Sequence, residues 1–178
     1  MHKSILVAAG LVGSLLCLSA APGHADDKAM IDANTERALT WLRGSGEEAQ
    51  RLLDSAAGVL VFPDVVEMGF GVGGEFGEGA LLVDGKPVDY YATAGSTFGM
   101  AAESQYKAKV IFFRTDDALQ EFRARRSLKL GQHVSVPVAT TGRDALDSRE
   151  SHVGIIFSDQ GLVSDLVLDG DRITRIVR

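Results

Sequence analysis

The hydrophobic and polar positions of this chain change period along its length, and the change separates helices from strands. Residues 27–43 carry apolar side chains at helical spacing. Residues 45–57 carry the i, i+3, i+4, i+7, i+8 stripe of a packed helix, opened by a predicted capping box of Ser45 and Glu48. Beyond this point the apolar runs are short, which predicts strands separated by turns. A third helix is predicted at residues 115–125, inside the strand region.

Residues 66–81 form the most unusual predicted strand, because most of their glycines fall on one parity. Successive side chains of a strand point to opposite faces, so one face is nearly bare and the other is apolar. A bare face lets another backbone or a ligand approach closely. Because glycine offers a lipid no side-chain contact, we expect a structural role in backbone packing, with an acyl-chain site as the alternative if the face is open. The glycines of this predicted face are Gly69, Gly71, Gly73, Gly77 and Gly79.

The order of the predicted elements indicates the fold class. Two helices come first, then many short strands, one inserted helix and further strands, and short turns between strands favour antiparallel pairing. Asp84-Gly85 is a hairpin turn signal, and the first strand is expected to stop at Pro63. We therefore expect an α+β fold, with N-terminal helices followed by a curved, mainly antiparallel sheet or a partly closed β-barrel with one inserted helix. Residues 132–139 are predicted as a strand and residues 140–151 as a loop.

The first 25 residues have the pattern of a secretory signal. A short polar start precedes an apolar run at residues 5–20, and Gly23-His24-Ala25 places small residues at the −3 and −1 positions of a cleavage site. We expect a single domain at residues 26–178, exported to the periplasm or cell envelope of a bacterium, with an uncleaved anchor as the alternative. Cys17 lies in the signal, so the mature chain is expected to have no cysteine and no disulfide.

The charge balance narrows the choice of partners. The chain has 18 Lys and Arg and 24 Asp and Glu, and loss of Lys3 with the signal leaves 17 basic residues and a net charge of −7. Because phosphate contacts need Lys and Arg, we expect no nucleic-acid partner. A local basic cluster at the end of the third helix is a candidate for anionic headgroups, with helix capping as the alternative. It consists of Arg123, Arg125, Arg126 and Lys129.

Several patterns associated with catalysis or ligand binding lack the context that they need. Residues 69–74 match G-x-G-x-x-G, but a strand pattern follows where a dinucleotide site needs a helix. The acids within residues 144–150 and 169–171 lack the spacing of a calcium loop, so we expect solvated acids. His133 and His152 belong to no ligand motif, and no G-x-S-x-G elbow occurs. We expect no metal, no cofactor and no catalytic residue; a hydrolase with an unrecognised site is the alternative.

An ordered series of motifs resembles the SYLF domain family. Residues 56–63 and 69–74 resemble the opening of that domain, and the apolar strand at 110–113 and Lys129-Leu130-Gly131 follow in the same order. The resemblance runs over about residues 36–170. It implies a non-enzymatic lipid-binding module, with phosphoinositide and actin-patch roles in eukaryotic members and exported, stand-alone forms in bacteria.

These observations lead to one functional expectation and one rival. We expect a non-enzymatic protein that binds phospholipid or a membrane surface at the cell envelope. The rival is a protein–protein interaction or assembly module that has an envelope protein as partner and no direct lipid contact. Trp41 on the first helix is a candidate for interfacial lipid contact, with packing in the core as its alternative. The sequence carries no expectation for the oligomeric state.

Overall fold

The structure, a computed structural model, describes residues 27–100, 105–163 and 168–178. The predicted signal, with Cys17, lies outside the described residues. Within them the fold is α+β as predicted, with N-terminal helices and a curved antiparallel sheet. The elements are α1 (Lys28–Gly44), α2 (Glu47–Ser55), β1 (Gly58–Val83), β2 (Lys86–Met100), β3 (Gln105–Phe113), α3 (Asp116–Arg123), β4 (Ser127–Lys129), α4 (Gly142–Asp147), β5 (His152–Ser158), β6 (Gly161–Leu162) and β7 (Arg172–Ile176).

The two N-terminal helices form where the apolar stripes predict them, but their caps differ. Asp27 caps α1, because its carboxylate accepts a backbone N–H of the first turn at 2.8 Å. The predicted capping box of α2 is wrong: Gly46 is the N-cap and no side chain caps that helix. The Ser45 hydroxyl instead donates to the Trp41 carbonyl at 2.9 Å, at the end of α1. Within the described ranges, no helix combines the length and the apolar character needed to cross a bilayer.

The sheet is open and its strands run in the order β4-β7-β2-β1-β3-β5-β6, with every strand pair antiparallel. The predicted hairpin turn joins β1 to β2, and both of its residues have positive φ, Asp84 at 51° and Gly85 at 71°. Two positive φ values are what a two-residue type I′ turn requires. The predicted turn chemistry therefore fixes the longest strand pairing of the sheet.

The strand β1 does not stop at Pro63 as predicted, because a bulge carries it past this residue. The pairing with β3 slips between Phe62 and Val65, where β1 holds one residue more than its partner. A bulge tolerates proline, because a bulged residue has no ladder hydrogen bond to lose. The extra residue also inverts the alternation along β1. Before the bulge the even positions Leu60 and Phe62 face the inner core, and after it the odd positions Val65 and Leu81 face the same core.

The sheet has two faces, each with its own core. The outer face carries α1, α2 and α4, and the inner face carries α3. On β3, Val110 and Phe112 pack toward the outer face, whereas Ile111 and Phe113 pack toward the inner face. This alternation follows from the period of a strand.

Two segments after α3 differ from their predictions. Residues 132–139 are not a strand, since only isolated bridges at Val134 and Val138 join them to the rest. Proline at position 137 cannot donate a ladder hydrogen bond, which disfavours regular pairing there. The predicted loop at 140–151 contains the short helix α4, capped by the Thr141 hydroxyl, which accepts the N–H of Asp144 at 3.0 Å.

Candidate functional site

An open groove of about 830 Å³ lies on the outer face, between α1 and the strands β3 and β5. Asn34 of α1 and Asp64 of β1 both line it and are joined, because the Asn34 amide donates to the Asp64 carboxylate at 2.6 Å. The groove is lined by both polar and aromatic side chains. These include Asn34, Arg37, Trp41, Asp64, Tyr106 and Phe157.

Trp41 forms the wall of this groove that belongs to α1. Its ring stacks on Phe157 of β5 with the ring centroids 4.2 Å apart and the planes at 7°. The side chain is half-buried and packs against the outer core, so the expected core packing describes one side of the ring. Trp41 and Phe157 both also line the groove.

Three large apolar side chains remain exposed on the same face, beyond the cover of the helices. Tyr106, which also lines the groove, is 61% exposed, and Met68 and Phe76 of β1 are 60% and 52% exposed. Tyr106 pairs with Val66, and strand alternation places Met68 on the same face. Phe76 shares its side of β1 with Ala80, which packs under Ile31 of α1. Contiguous apolar exposure marks interaction surfaces, and Met68 and Tyr106 are diagonal neighbours on adjacent strands.

The four side chains of the predicted basic cluster have different surroundings. Arg123 donates to Asp89 at 3.0 Å, and Arg125 donates to Glu121 at 3.2 Å. For Arg126 and Lys129, no carboxylate of the described residues lies within ion-pair distance. The cluster begins on α3, which packs on the inner face, whereas Trp41 lies on the outer face. The structure therefore does not bring Trp41 together with Arg123.

A group of buried charges, here called the charged cluster, was not predicted. It joins Lys107 and Lys109 of β3 to two acids of β1 and to one residue before β7. Lys107 Nζ lies 2.9 Å from Glu67 Oε2 and 3.0 Å from Glu75 Oε2. Lys109 Nζ pairs with Glu75 Oε1 and lies 2.6 Å from Asp171 Oδ2. The second contact of Lys107 is an ion pair without good hydrogen-bond angles, since Glu75 Oε2 accepts no hydrogen bond within the described residues.

In the charged cluster, burial and ion pairing shift the pKa values of the side chains in opposite directions. Burial favours the neutral form of Asp171 and raises its pKa to about 6, although Lys109 acts in the opposite sense. Burial also favours neutral Glu75, but Lys109 and Lys107 outweigh it and hold the pKa of Glu75 below its usual range. Lys107 is likewise disfavoured as a cation by burial, yet its acid partners raise its pKa. The cluster is thus an ion-pair network in which Asp171 takes up a proton more readily than Glu75.

Gly95 of β2 makes room for the charged cluster. A Cβ atom at this position would lie 2.8 Å from Glu75 Oε1 and would overlap the Asp171 carboxylate. Asp171 belongs to a turn whose acids we expected to be solvated, and for Asp171 that expectation is wrong because it is only 4% exposed. Its pairing with Lys109 offsets part of the cost of burying a carboxylate.

The glycine face of β1 can be described at two of its five predicted positions. A Cβ at Gly79 would overlap the Val61 carbonyl oxygen, and one at Gly77 would lie 2.9 Å from Val65 Cγ2. The second half of β1 therefore crosses closely over its own first half. The structure describes the strand pairing of Gly71 and Gly73 but not what their bare side meets, so their role and that of Gly69 stay predictions.

The other candidates from the sequence have local partners. His133 accepts the backbone N–H of Lys129 through Nδ1 at 2.8 Å. His152 is buried, contacts Phe113 edge to face, and burial lowers its pKa. Asp144 accepts a hydrogen bond from Thr140 at 2.7 Å. In the part of the chain that the structure describes, no group of three His, Cys, Asp or Glu side chains has the geometry to hold a metal ion.

Comparison with known proteins bears on the second half of the chain. Residues 94–176 match the family described as "Ysc84: Las17-binding protein actin regulator". This match is consistent with a SYLF domain protein. No curated protein matches the chain.

The SYLF match divides the site residues into two groups. It includes Lys107, Lys109 and Asp171, and it also includes the predicted basic cluster. It begins after Glu75 and after the glycine strand, so the resemblance of residues 56–83 to the opening of the SYLF domain stays a prediction. One feature of the sequence could have indicated the charged cluster. Glu67 and Glu75 occupy odd-numbered positions, as the glycines of the bare face do, so strand alternation places these two acids on the same face as the glycines.

Proposed function

We propose that this protein binds phospholipid at a bacterial cell envelope and performs no chemistry on it. The observation that carries the proposal is the exposed apolar surface of the outer face, where Met68, Phe76 and Tyr106 lie beyond the helices. Moving apolar side chains from water into a lipid interface is favourable by about 25 cal/mol for each Å² buried. The SYLF match supports this proposal.

The groove beside Trp41 is the second feature that supports lipid contact. Its aromatic walls offer apolar surface, and the Arg37 side chain at its rim is exposed. Trp and Tyr favour membrane interfaces because each ring has an apolar body and a polar tip. We propose that the groove takes up part of an acyl chain or the glycerol region of a lipid.

A vesicle co-sedimentation experiment tests this function. The double variant Met68→Ser/Tyr106→Ser removes two exposed apolar side chains and should weaken binding about tenfold or more, because burying each contributes on the order of 1 kcal/mol or more. The matched control Val88→Ser/Val177→Ser also removes two exposed apolar side chains, from other positions. It should bind like the unsubstituted protein.

Two results would contradict the proposal. Absence of binding to both anionic and zwitterionic vesicles at low salt would exclude a phospholipid-binding function. Equal losses in the two double variants would show that apolar exposure in general, and not the outer face near Tyr106, drives the association.

The envelope location is a proposal that rests on the predicted signal. The chain expressed in a bacterial host should appear in the periplasmic or envelope fraction with Asp26 as its first residue. A cytoplasmic protein that retains Met1 would contradict it.

The rival proposal is an assembly module that contacts a protein partner. The description of the matched family names a protein partner and supports this rival. The two proposals differ in the purified system, because lipid binding needs no other protein. Capture of one envelope protein, abolished by Met68→Ser/Tyr106→Ser while vesicle binding is absent, would favour the rival.

A further inference from the structure

Four side chains lie side by side across neighbouring strands on the outer face. Lys129 of β4 is paired with Arg172 of β7, Arg172 with Ala94 of β2, and Ala94 with Phe76 of β1. Directly paired residues of antiparallel strands point to the same face. The four therefore form one row, here called the cationic row, which spans about 14 Å at three strand spacings.

Helix α1 leaves this row open. The row that α1 covers lies four residues further along each strand, where Ile31 packs against Ala80 and Tyr90, with Ile176 at its edge. In the cationic row, by contrast, Ala94 and Arg172 are exposed, Phe76 is 52% exposed and Lys129 is half-buried. The small Ala94 side chain leaves space above the sheet between the cations and the aromatic ring.

The two cations of the row face each other without an acid between them. Like charges directly opposite on neighbouring strands destabilise a sheet. No carboxylate of the described residues lies within ion-pair distance of Lys129 or Arg172. The row between this one and α1 differs, because there Ser127 and Thr174 share a hydrogen bond of 3.2 Å and Arg178 pairs with Glu78.

We propose that the cationic row is a docking surface for the anionic headgroups of a phospholipid bilayer. The phosphate of one lipid lies between Lys129 and Arg172, whose guanidinium can hold two phosphate oxygens at once. Phe76 enters the interface beside it. The inference rests on the proposed phospholipid binding and adds the preference for anionic lipid, the headgroup contacts and the orientation of the sheet on the membrane.

The test compares two double variants that make the same change in net charge. Lys129→Gln/Arg172→Gln removes the cations of the row, and Lys86→Gln/Arg149→Gln removes two exposed cations elsewhere. We measure binding of the full protein to mixed phosphatidylglycerol–phosphatidylcholine vesicles and to pure phosphatidylcholine vesicles. The row variant should bind the anionic vesicles about 30-fold more weakly than the unsubstituted protein, roughly fivefold for each cation removed. The control should lose much less affinity. Phe76→Ser should weaken binding to both vesicle types.

A thermal melt separates a lost contact from a damaged fold. Because the row variant removes a like-charge repulsion, it should melt no lower than the unsubstituted protein. Equal losses in the two charge variants would overturn the inference, and so would equal binding of the unsubstituted protein to both vesicle types. In both of these cases the proposed phospholipid binding stands. Absence of all vesicle binding overturns both proposals.

Discussion

The inner face of β3 has two ends of opposite character. Lys107 and Lys109 point into the interior at one end, and Ile111 and Phe113 point into it at the other. All four side chains are at least nine-tenths buried. One strand and one face thus hold an ion-pair network beside an apolar core.

The difference shows that strand alternation decides which side a residue faces but not how that residue is stabilised. At the apolar end, burial itself is favourable, and the cost of a substitution scales with the volume lost. At the charged end, burial is unfavourable and each group depends on its partners. The charged end should therefore respond more strongly to the loss of a single group.

The largest expected effect comes from removing the shared cation. Lys109→Met leaves Glu75 and Asp171 as buried carboxylates with one ammonium fewer, and should lower the free energy of unfolding by about 3–5 kcal/mol. Urea unfolding measures the loss. The exposed control Lys86→Met should change it by less than about 0.5 kcal/mol. Similar losses in the two variants would refute the idea that Lys109 holds the cluster together.

A second, slightly smaller effect should come from closing the space where β1 crosses itself. Gly79→Ala places a methyl group against the Val61 carbonyl and should cost about 3 kcal/mol, the upper end of the usual overpacking range. Gly74→Ala is the matched control, because its Cβ would meet only the Gly95 carbonyl oxygen at 3.6 Å. Equal melting temperatures for the two variants would mean that the crossing is loose.

The pH dependence of stability should report the charged end. The pKa of Asp171 is raised from 3.8 to about 6 in the folded protein, so the unfolded chain releases this proton first. Ionisation therefore costs the folded state stability as the pH rises from about 4 to about 6, on the order of 2 kcal/mol. The unsubstituted protein should therefore lose unfolding free energy relative to Asp171→Asn, which cannot titrate at this position, as the pH rises through this window. Parallel profiles would show that Asp171 titrates normally.

The smallest expected effect belongs to the apolar end. Ile111→Val removes one methyl group from a side chain that is 2% exposed and should cost about 1 kcal/mol. Val177→Ala, on a side chain that is 93% exposed, should cost almost nothing. A cost for Ile111→Val as large as that for Lys109→Met would remove the contrast between the two ends.

The sequence allowed the elements to be predicted where local chemistry decides them. The apolar stripes located α1 and α2, Thr115 located the start of α3, and Asp84-Gly85 located the hairpin. The bulge at Pro63 was missed because proline next to aspartate usually ends a strand. Its presence depends on the partner strand β3, which lies far away in the chain.

The candidate site was harder to predict, because its residues come together only through the sheet. Lys107 and Lys109 alternate with apolar residues, which is also the pattern of a strand with one solvated face. The curvature of β1 is what turns that face inward. Lys129 was selected with Arg123 because the two are neighbours in the chain, whereas the pairing of β4 and β7 places Lys129 beside Arg172.

The bulge between Phe62 and Val65 also determines how this chain can vary in length. A substitution elsewhere changes one contact. Loss or gain of one residue at the bulge would exchange the two faces of everything that follows in β1, because a shift of one residue turns every side chain of a strand over. Glu75 would then point toward solvent and Phe76 toward the ion pairs. Natural variants of this chain should therefore differ in length at their turns and keep the spacing from Phe62 to Glu75 constant.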